Sequence, residues 1–204
     1  MRSRNLFVWC LLPLVLTTLA AWAPTSKGYN SAKWVISASS NLRVNGSTNV
    51  NKFVCEINGY DQVDTLSVME NSKMVKLWGS LNLDIENFDC HNPVMTRDLQ
   101  KTLKAKQYPQ LCINFLSLNK FPELSRKPEH ITGWVDIDLA GVRKRVEVTY
   151  KISVDANKNI HLIGEREVKF SDFNLVPPTK FKGMVQTKEN LNITFHLQLK
   201  PIAS

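Results

Sequence analysis

Residues 92–115 read NPVMTRDLQKTLKAKQYPQLCINF, and the change of period inside this stretch decides the fold. Asn92 can cap a helix through its side-chain oxygen, and Pro93 suits the first helical position, where no N–H is needed. Met95, Leu99 and Leu103 recur every four residues and lay one apolar stripe on an otherwise charged surface. Pro109 is expected to end the helix, because the residue before a proline is pushed out of the α region. Leu111, Ile113 and Phe115 then alternate at period two, so the chain passes directly into a strand. Nearly everything else from Trp34 onward also alternates at period two. The pattern predicts an all-β protein with one substantial helix, its stripe lying against a sheet.

Downstream, Ile131, Val135, Ile137 and Leu139 face one way before a tight turn at Ala140-Gly141. Val146, Val148, Tyr150, Ile152 and Val154 return, making a long hairpin. A turn at residues 155–159 leads to a strand over residues 160–170, then an irregular loop, SDFNLVPPTKFKG. Leu191, Ile193, Phe195, Leu197 and Leu199 form the last strand. Upstream of the helix, Val75, Leu77, Leu81, Leu83 and Ile85 share a face, with Gly79 placed to bend a long strand. Residues 60–71 read either as a short strand around Val63–Val68 or as a loop. Phe53, Cys55 and Ile57 share a face, as do Leu42 and Val44, with a break expected at Asn45-Gly46. About eight strands with one apolar face each, joined by short turns, fit an antiparallel up-and-down barrel better than a sandwich. A barrel of this size is either filled by side chains or just holds one small ligand; periodicity does not distinguish the two.

The first residues read as a signal peptide over residues 1–23. Arg2 and Arg4 precede an uncharged run, Leu6 to Ala20, and Ala21-Trp22-Ala23 places small residues where a signal peptidase cuts. The run is short for a membrane span, which predicts an exported protein, in the periplasm or secreted, with no stable membrane span. The remainder, with one domain over residues 34–200, is large enough for a sizeable core. The formal charge is +8, and removing Arg2 and Arg4 leaves +6. The lysines are scattered through turns and outward strand positions without interleaved aromatics, a pattern that argues against a nucleic-acid partner.

Three cysteines follow the leader. Cys55 sits on the face of Phe53 and Ile57, and Cys90 ends the segment leading into the helix. A Cys55–Cys90 disulfide is expected, with Cys112 free, since its neighbours Leu111 and Ile113 face inward and Cys112 the other way; three unpaired buried thiols are the alternative. No CxxC is present, and Cys90-His91 is not a metal-ligand spacing, so no metal and no cofactor is expected. His91, His130, His161 and His196 are scattered, and His196, off the Phe195–Leu197 face, is expected in solvent. Asp136 and Asp138 lie opposite the apolar set and are also expected in water, while Asp172 in the Phe-rich loop is better placed for chemistry but reads equally as a turn cap. No nucleophile, base and orienting partner come together in the sequence, so no enzyme is expected.

Four segments in order resemble the YceI-like family of bacterial lipid- and polyisoprenoid-binding proteins. These are SSNLRVNGSTNVNKF, DLQKTLKAKQYPQLCINF, ITGWVDIDLAGVRKRVEV and VKFSDFNLVPP. The resemblance spans about residues 34–200 and implies an antiparallel, lipocalin-like β-barrel of about eight strands with one helix. It also implies a hollow barrel holding a long apolar tail along its axis, closed at the ends by the Phe170–Phe181 loop and the Met95 helix. The expected lining is Leu77, Leu83, Val135, Val148, Ile152, Ile193 and Phe195, with Phe170 and Phe173 from the loop. The chain departs from the family at Phe170, where many members carry Arg, at Asn174 in place of Gly, and in lacking a histidine after Arg97-Asp98. Two functions are left open: a carrier of an isoprenoid or other long-chain apolar lipid, and a filled barrel serving as an envelope interaction or stress-response module without a lipid.

Overall fold

Period-two alternation becomes antiparallel strands throughout. In chain order the elements are β1 (Ser31–Ile36), β2 (Asn41–Ser47), β3 (Lys52–Asn58), β4 (Thr65–Glu70), β5 (Val75–Asp84), α1 (Pro93–Thr102) and β6 (Gln110–Leu118). They continue with β7 (Glu129–Leu139), β8 (Val142–Val154), β9 (Ile160–Lys169), the two-residue strands β10 (Thr179–Lys180) and β11 (Val185–Gln186), and β12 (Asn190–Pro201). The computed structural model describes residues 30–71 and 74–202, and the expected leader over residues 1–23 lies outside them. Pairing runs β1-β4-β5-β6-β7-β8-β9-β12 and returns from β12 to β1, closing an eight-stranded antiparallel barrel. The β12 edge is shared: residues 199–201 pair with β1 and residues 192–196 with β2, which carries β3 beyond it.

Several local expectations shift for identifiable reasons. Asn92 caps α1 by accepting from the amides of Val94 and Met95. The helix nevertheless stops at Thr102, well before Pro109, because Lys104 adopts φ 57°. The amides of Lys104 and Ala105 turn back to the carbonyls of Lys101 and Gln100, the left-handed closure more often made with glycine. The ambiguous stretch resolves as β4. The break expected at Asn45-Gly46 moves past Ser47: Gly46 stays in the strand, because a Cβ there would lie 2.2 Å from the Phe53 ring. Gly79 does mark an irregularity, with the β5–β6 register shifting between Lys76 and Gly79 at φ +145°.

On the outer face the two aspartates are not simply solvated. Asp136 is only 8% exposed, because Arg145, directly opposite on β8, covers it with two hydrogen bonds of 2.8 and 2.9 Å. Arg143 grips Asp138 in the same way. His196 is half-buried rather than in open solvent: its Nε2 lies 2.9 Å from His161 Nδ1, and His161 Nε2 lies 3.2 Å from Asp155. Burial and the neighbouring imidazole lower the His196 pKa.

The far half of the barrel is largely filled by buried side chains. Phe195 meets Phe115 and Tyr150 edge to face at 5.9 and 6.0 Å. Gly164 clears the space, since a Cβ there would lie 2.1 Å from the Phe195 ring. Tyr150 is fully buried, and its hydroxyl has no hydrogen-bond partner among the described residues.

The free edge of β3 is closed by something other than a strand. Glu56 exchanges backbone hydrogen bonds with Asp89, both 2.8 Å. Cys55 is bonded to Cys90, and Cys112 is free. On the outside, the Glu56 carboxylate accepts from Arg43, Asn58 and His91 at 2.9–3.1 Å. The hydrogen bonds from Asn58 and Arg43 hold its pKa below the ordinary value of 4.5.

Three outcomes follow from this packing. The disulfide spans 35 residues, so the Cys55→Ser/Cys90→Ser variant should lose about 3–4 kcal/mol in urea unfolding. A Glu56 whose folded pKa is depressed contributes stability that is complete above its unfolded value and drains as the pH falls through the folded one. Glu56→Gln should therefore lower the urea midpoint near neutral pH and flatten the fall in stability below about pH 4.5, relative to the parent. Tyr150→Phe removes a buried, unpartnered hydroxyl and should raise stability by about 1 kcal/mol, read as a Tm increase.

Candidate functional site

The seam at β3 leaves one end of the barrel without a continuous wall, and α1 lies across it. Met95 and Leu99 are half-buried and Leu103 is buried, so the apolar stripe faces down onto the sheet. Three segments frame the space under the helix. The first is the turn between β2 and β3, where Thr48 Oγ1 accepts from the amides of Val50 and Asn51. The second is the β10–β11 hairpin, clamped to that turn by Asn49. Asn49 Nδ2 donates to the Met184 carbonyl at 2.9 Å, and its Oδ1 accepts from the Gln186 amide at 3.0 Å. The third is α1 itself, tied to the hairpin by an ion pair between Asp98 and Lys180 at 2.6 Å.

Together they enclose a cavity of about 390 Å³. Its wall is mostly apolar: Val44, Phe53 and Cys55 on one side, Met95 and Leu99 above, Phe170 and Leu191 below. A few polar groups, among them Asn51, Thr102 and Thr187, sit within reach of its interior. That combination of apolar wall and sparse polar groups is typical of a small-molecule site. The disulfide forms part of the wall, which couples the integrity of the site to the seam.

Beneath the floor lie two smaller voids in line with the cavity. One of about 40 Å³ shares Val44, Leu99, Phe170 and Leu191 with the main cavity, and Phe173 and Ile193 also border it. One of about 20 Å³ shares Leu111, Ile137 and Ile193 with the first and reaches Val135, Val148 and Phe195. Phe170 therefore stands between open space and the first void, and the Phe115–Tyr150–Phe195 cluster stands below the last.

The residues anticipated as lining are distributed along this axis rather than around one chamber. Phe170 borders the large cavity, Phe173 and Ile193 the middle void, and Val135, Val148, Ile193 and Phe195 the deepest one. Leu77, Leu83 and Ile152 are buried in the core and border none of the three. The axis thus carries mostly buried side chains and opens into the large cavity at the helix end. Alternation identified inward faces but missed Val44, Phe53, Leu99, Leu191 and the hairpin residues Lys180 and Phe181 as cavity lining. For the helix and strand residues a signal existed in the same periodicity. For the hairpin none did, because a two-residue strand carries no period.

Among the described residues no cluster of three or more His, Cys, Asp or Glu side chains is placed to hold a metal ion. No helix among them is long and apolar enough to cross a membrane. The Asp155–His161–His196 chain lies on the outer wall, and among the described residues no nucleophile is bonded to it.

No protein-family model and no curated protein matches the sequence. Solved structures do match the fold. A polyisoprenoid-binding domain from Saccharophagus degradans implicated in plant cell wall breakdown superposes with a TM-score of 0.61 at 12% identity, over 85% of this chain and 100% of that one. BcnA of Burkholderia cenocepacia gives 0.61 at 16%, over 79% of this chain and 96% of that one. A YceI protein of Campylobacter jejuni gives 0.52 at 15%, over 72% and 84%. At such identities the likeness is one of fold, and the fold of this chain is that of the YceI-like barrels.

Proposed function

We propose that the protein is a non-enzymatic lipid carrier that holds the apolar tail of an isoprenoid or similar long-chain molecule in the cavity beneath α1. The observation that carries this reading is a mostly apolar cavity of about 390 Å³, open at one end and continued inward by two voids along the barrel axis. Burying a tail there contributes about 0.8 kcal/mol per methylene without any special residue. The structural neighbour described as polyisoprenoid-binding supports the same reading. The leader expected over residues 1–23 and the Cys55–Cys90 disulfide support an oxidising destination, the periplasm or beyond.

The packed far half of the barrel favours a second reading, a filled module acting by protein contacts alone. Chain length separates the two. A carrier with this cavity should bind saturated or prenyl chains with affinity rising about fourfold per methylene, then reaching a plateau where the chain meets Phe170. Phe170→Ala joins the cavity to the next void and should move the plateau to longer chains. Leu99→Arg, at a half-buried roof position, should abolish retention. Leu83→Lys and Val148→Lys are poorer probes, since both sites are buried in the core and a charge there should unfold the domain. Lipids extracted from the folded protein and weighed by mass spectrometry give the direct readout. A protein free of lipid, with no chain-length dependence in added ligands, would leave only the second reading.

A further inference from the structure

Three segments meet at the cavity opening: the β2–β3 turn (48–53), α1 with its cap (92–102) and the β10–β11 hairpin with its flanks (178–187). These hold Lys52, Arg97, Lys101, Lys180 and Lys182 against one acid, Asp98, a net of +4. Arg2, Arg4, Lys27 and Lys73 lie outside the described residues and no acid does, so of the formal +8 the described residues also carry +4. These three segments thus carry a net charge equal to that of all the described residues, and the other described residues sum to zero. Lys180 is engaged by Asp98. Lys52, Arg97, Lys101 and Lys182 are exposed and make no ion pair among the described residues.

Large apolar side chains stand among these cations. Val50, Val94, Phe181 and Met184 are 68, 52, 70 and 73% exposed. The first three line the cavity, and Met184 closes the hairpin turn with its amide on the Phe181 carbonyl. That turn holds Phe181 and Lys182 at φ 52° and 53°, a left-handed conformation unfavourable to both. Asn49 grips the hairpin just beyond the turn, at Met184 and Gln186, so the strained turn presents Phe181 to solvent instead of folding it inward.

A soluble surface has no reason to keep this arrangement, whereas an anionic bilayer accepts both parts of it. Cations meet the head groups and the apolar side chains enter the acyl boundary. A second copy of the chain is disfavoured, because two apposed rims would each bring +4. We infer that the cavity rim docks on an anionic lipid surface, with Val50, Val94, Phe181 and Met184 among the chains and Lys52, Arg97, Lys101 and Lys182 at the head groups. The inference deepens the carrier reading and rests on it for its purpose: docking sets the cavity opening where an apolar tail leaves or enters the bilayer.

The test is co-flotation of the purified full chain with vesicles of phosphatidylcholine alone or with about one-third phosphatidylglycerol. Binding should need the anionic lipid and weaken when salt is raised well above physiological. Lys52→Ala/Lys182→Ala should lower the partition about 25-fold, fivefold per lysine, and Met184→Ser should lower it further. None of these three residues lines the cavity, and every variant shares the same N-terminus, so the apolar leader cannot produce a difference between them. Uptake of a fluorescent acyl-chain probe, measured without vesicles, should be unchanged in both variants. Equal flotation of parent and variants, or equal binding to neutral vesicles, overturns the docking surface. So does a concentration-dependent dimer that Met184→Ser abolishes, which would identify a second copy as the occupant. Probe uptake without flotation leaves the carrier and removes the docking, whereas rim-dependent flotation without uptake leaves the docking and removes the carrier.

Discussion

The structure depends on how the edge of β3 is closed. A single strand, β12, gives one of its edges to two partners, β1 at its C-terminal end and β2 further back. Eight strands close a ring through β1, but β2 and β3 peel away from it, and β3 is left with unpaired amides and carbonyls. An open edge of this kind is a liability in water. Here it is met by the segment after β5, through the paired backbone bonds of Glu56 and Asp89 and the covalent bond of Cys55 to Cys90. Glu56 does double service, since its side chain is held from outside by Arg43, Asn58 and His91.

Everything at the cavity end follows from that closure. The segment that seals β3 leads directly into Asn92, so α1 must start at the seam and run over the barrel mouth. Its apolar stripe then becomes a roof instead of being absorbed into a wall. The β10–β11 hairpin completes the enclosure because Asn49 bonds its backbone on both sides. At the opposite end no such displacement occurs. Inward side chains from the closed ring are buried against one another, and the Phe195 ring occupies the space over Gly164. The same fold is thus hollow at one end and solid at the other.

The outer face illustrates a second consequence of strand register. Asp136 and Asp138 stand directly opposite Arg145 and Arg143, so two residues set in solvent by alternation alone are instead paired across the hairpin, one of them nearly buried. His161 and His196 come together because β9 and β12 are neighbours, although 35 residues separate them in sequence. Cross-strand partners of this kind are the stabilising unit of a sheet, and only pairing reveals them.

What the sequence by itself determined is therefore the local physics. The period-two faces and the Asn92-Pro93 helix start follow from residue types a few positions apart, as does the two-residue Ala140-Gly141 turn, whose positive φ values match the twist of a tight hairpin. These signals specify an all-β chain with a single helix, and alternation puts Leu77, Val135 and Phe195 on inward faces. Tertiary structure decided what those faces surround. Whether an inward side chain borders space or another side chain depends on volumes contributed by strands far apart in sequence, as Gly164 and Phe195 do. The cavity lies under the helix because the β3 edge is closed there by a non-strand segment, and closure is a property of strand order, which no periodicity encodes.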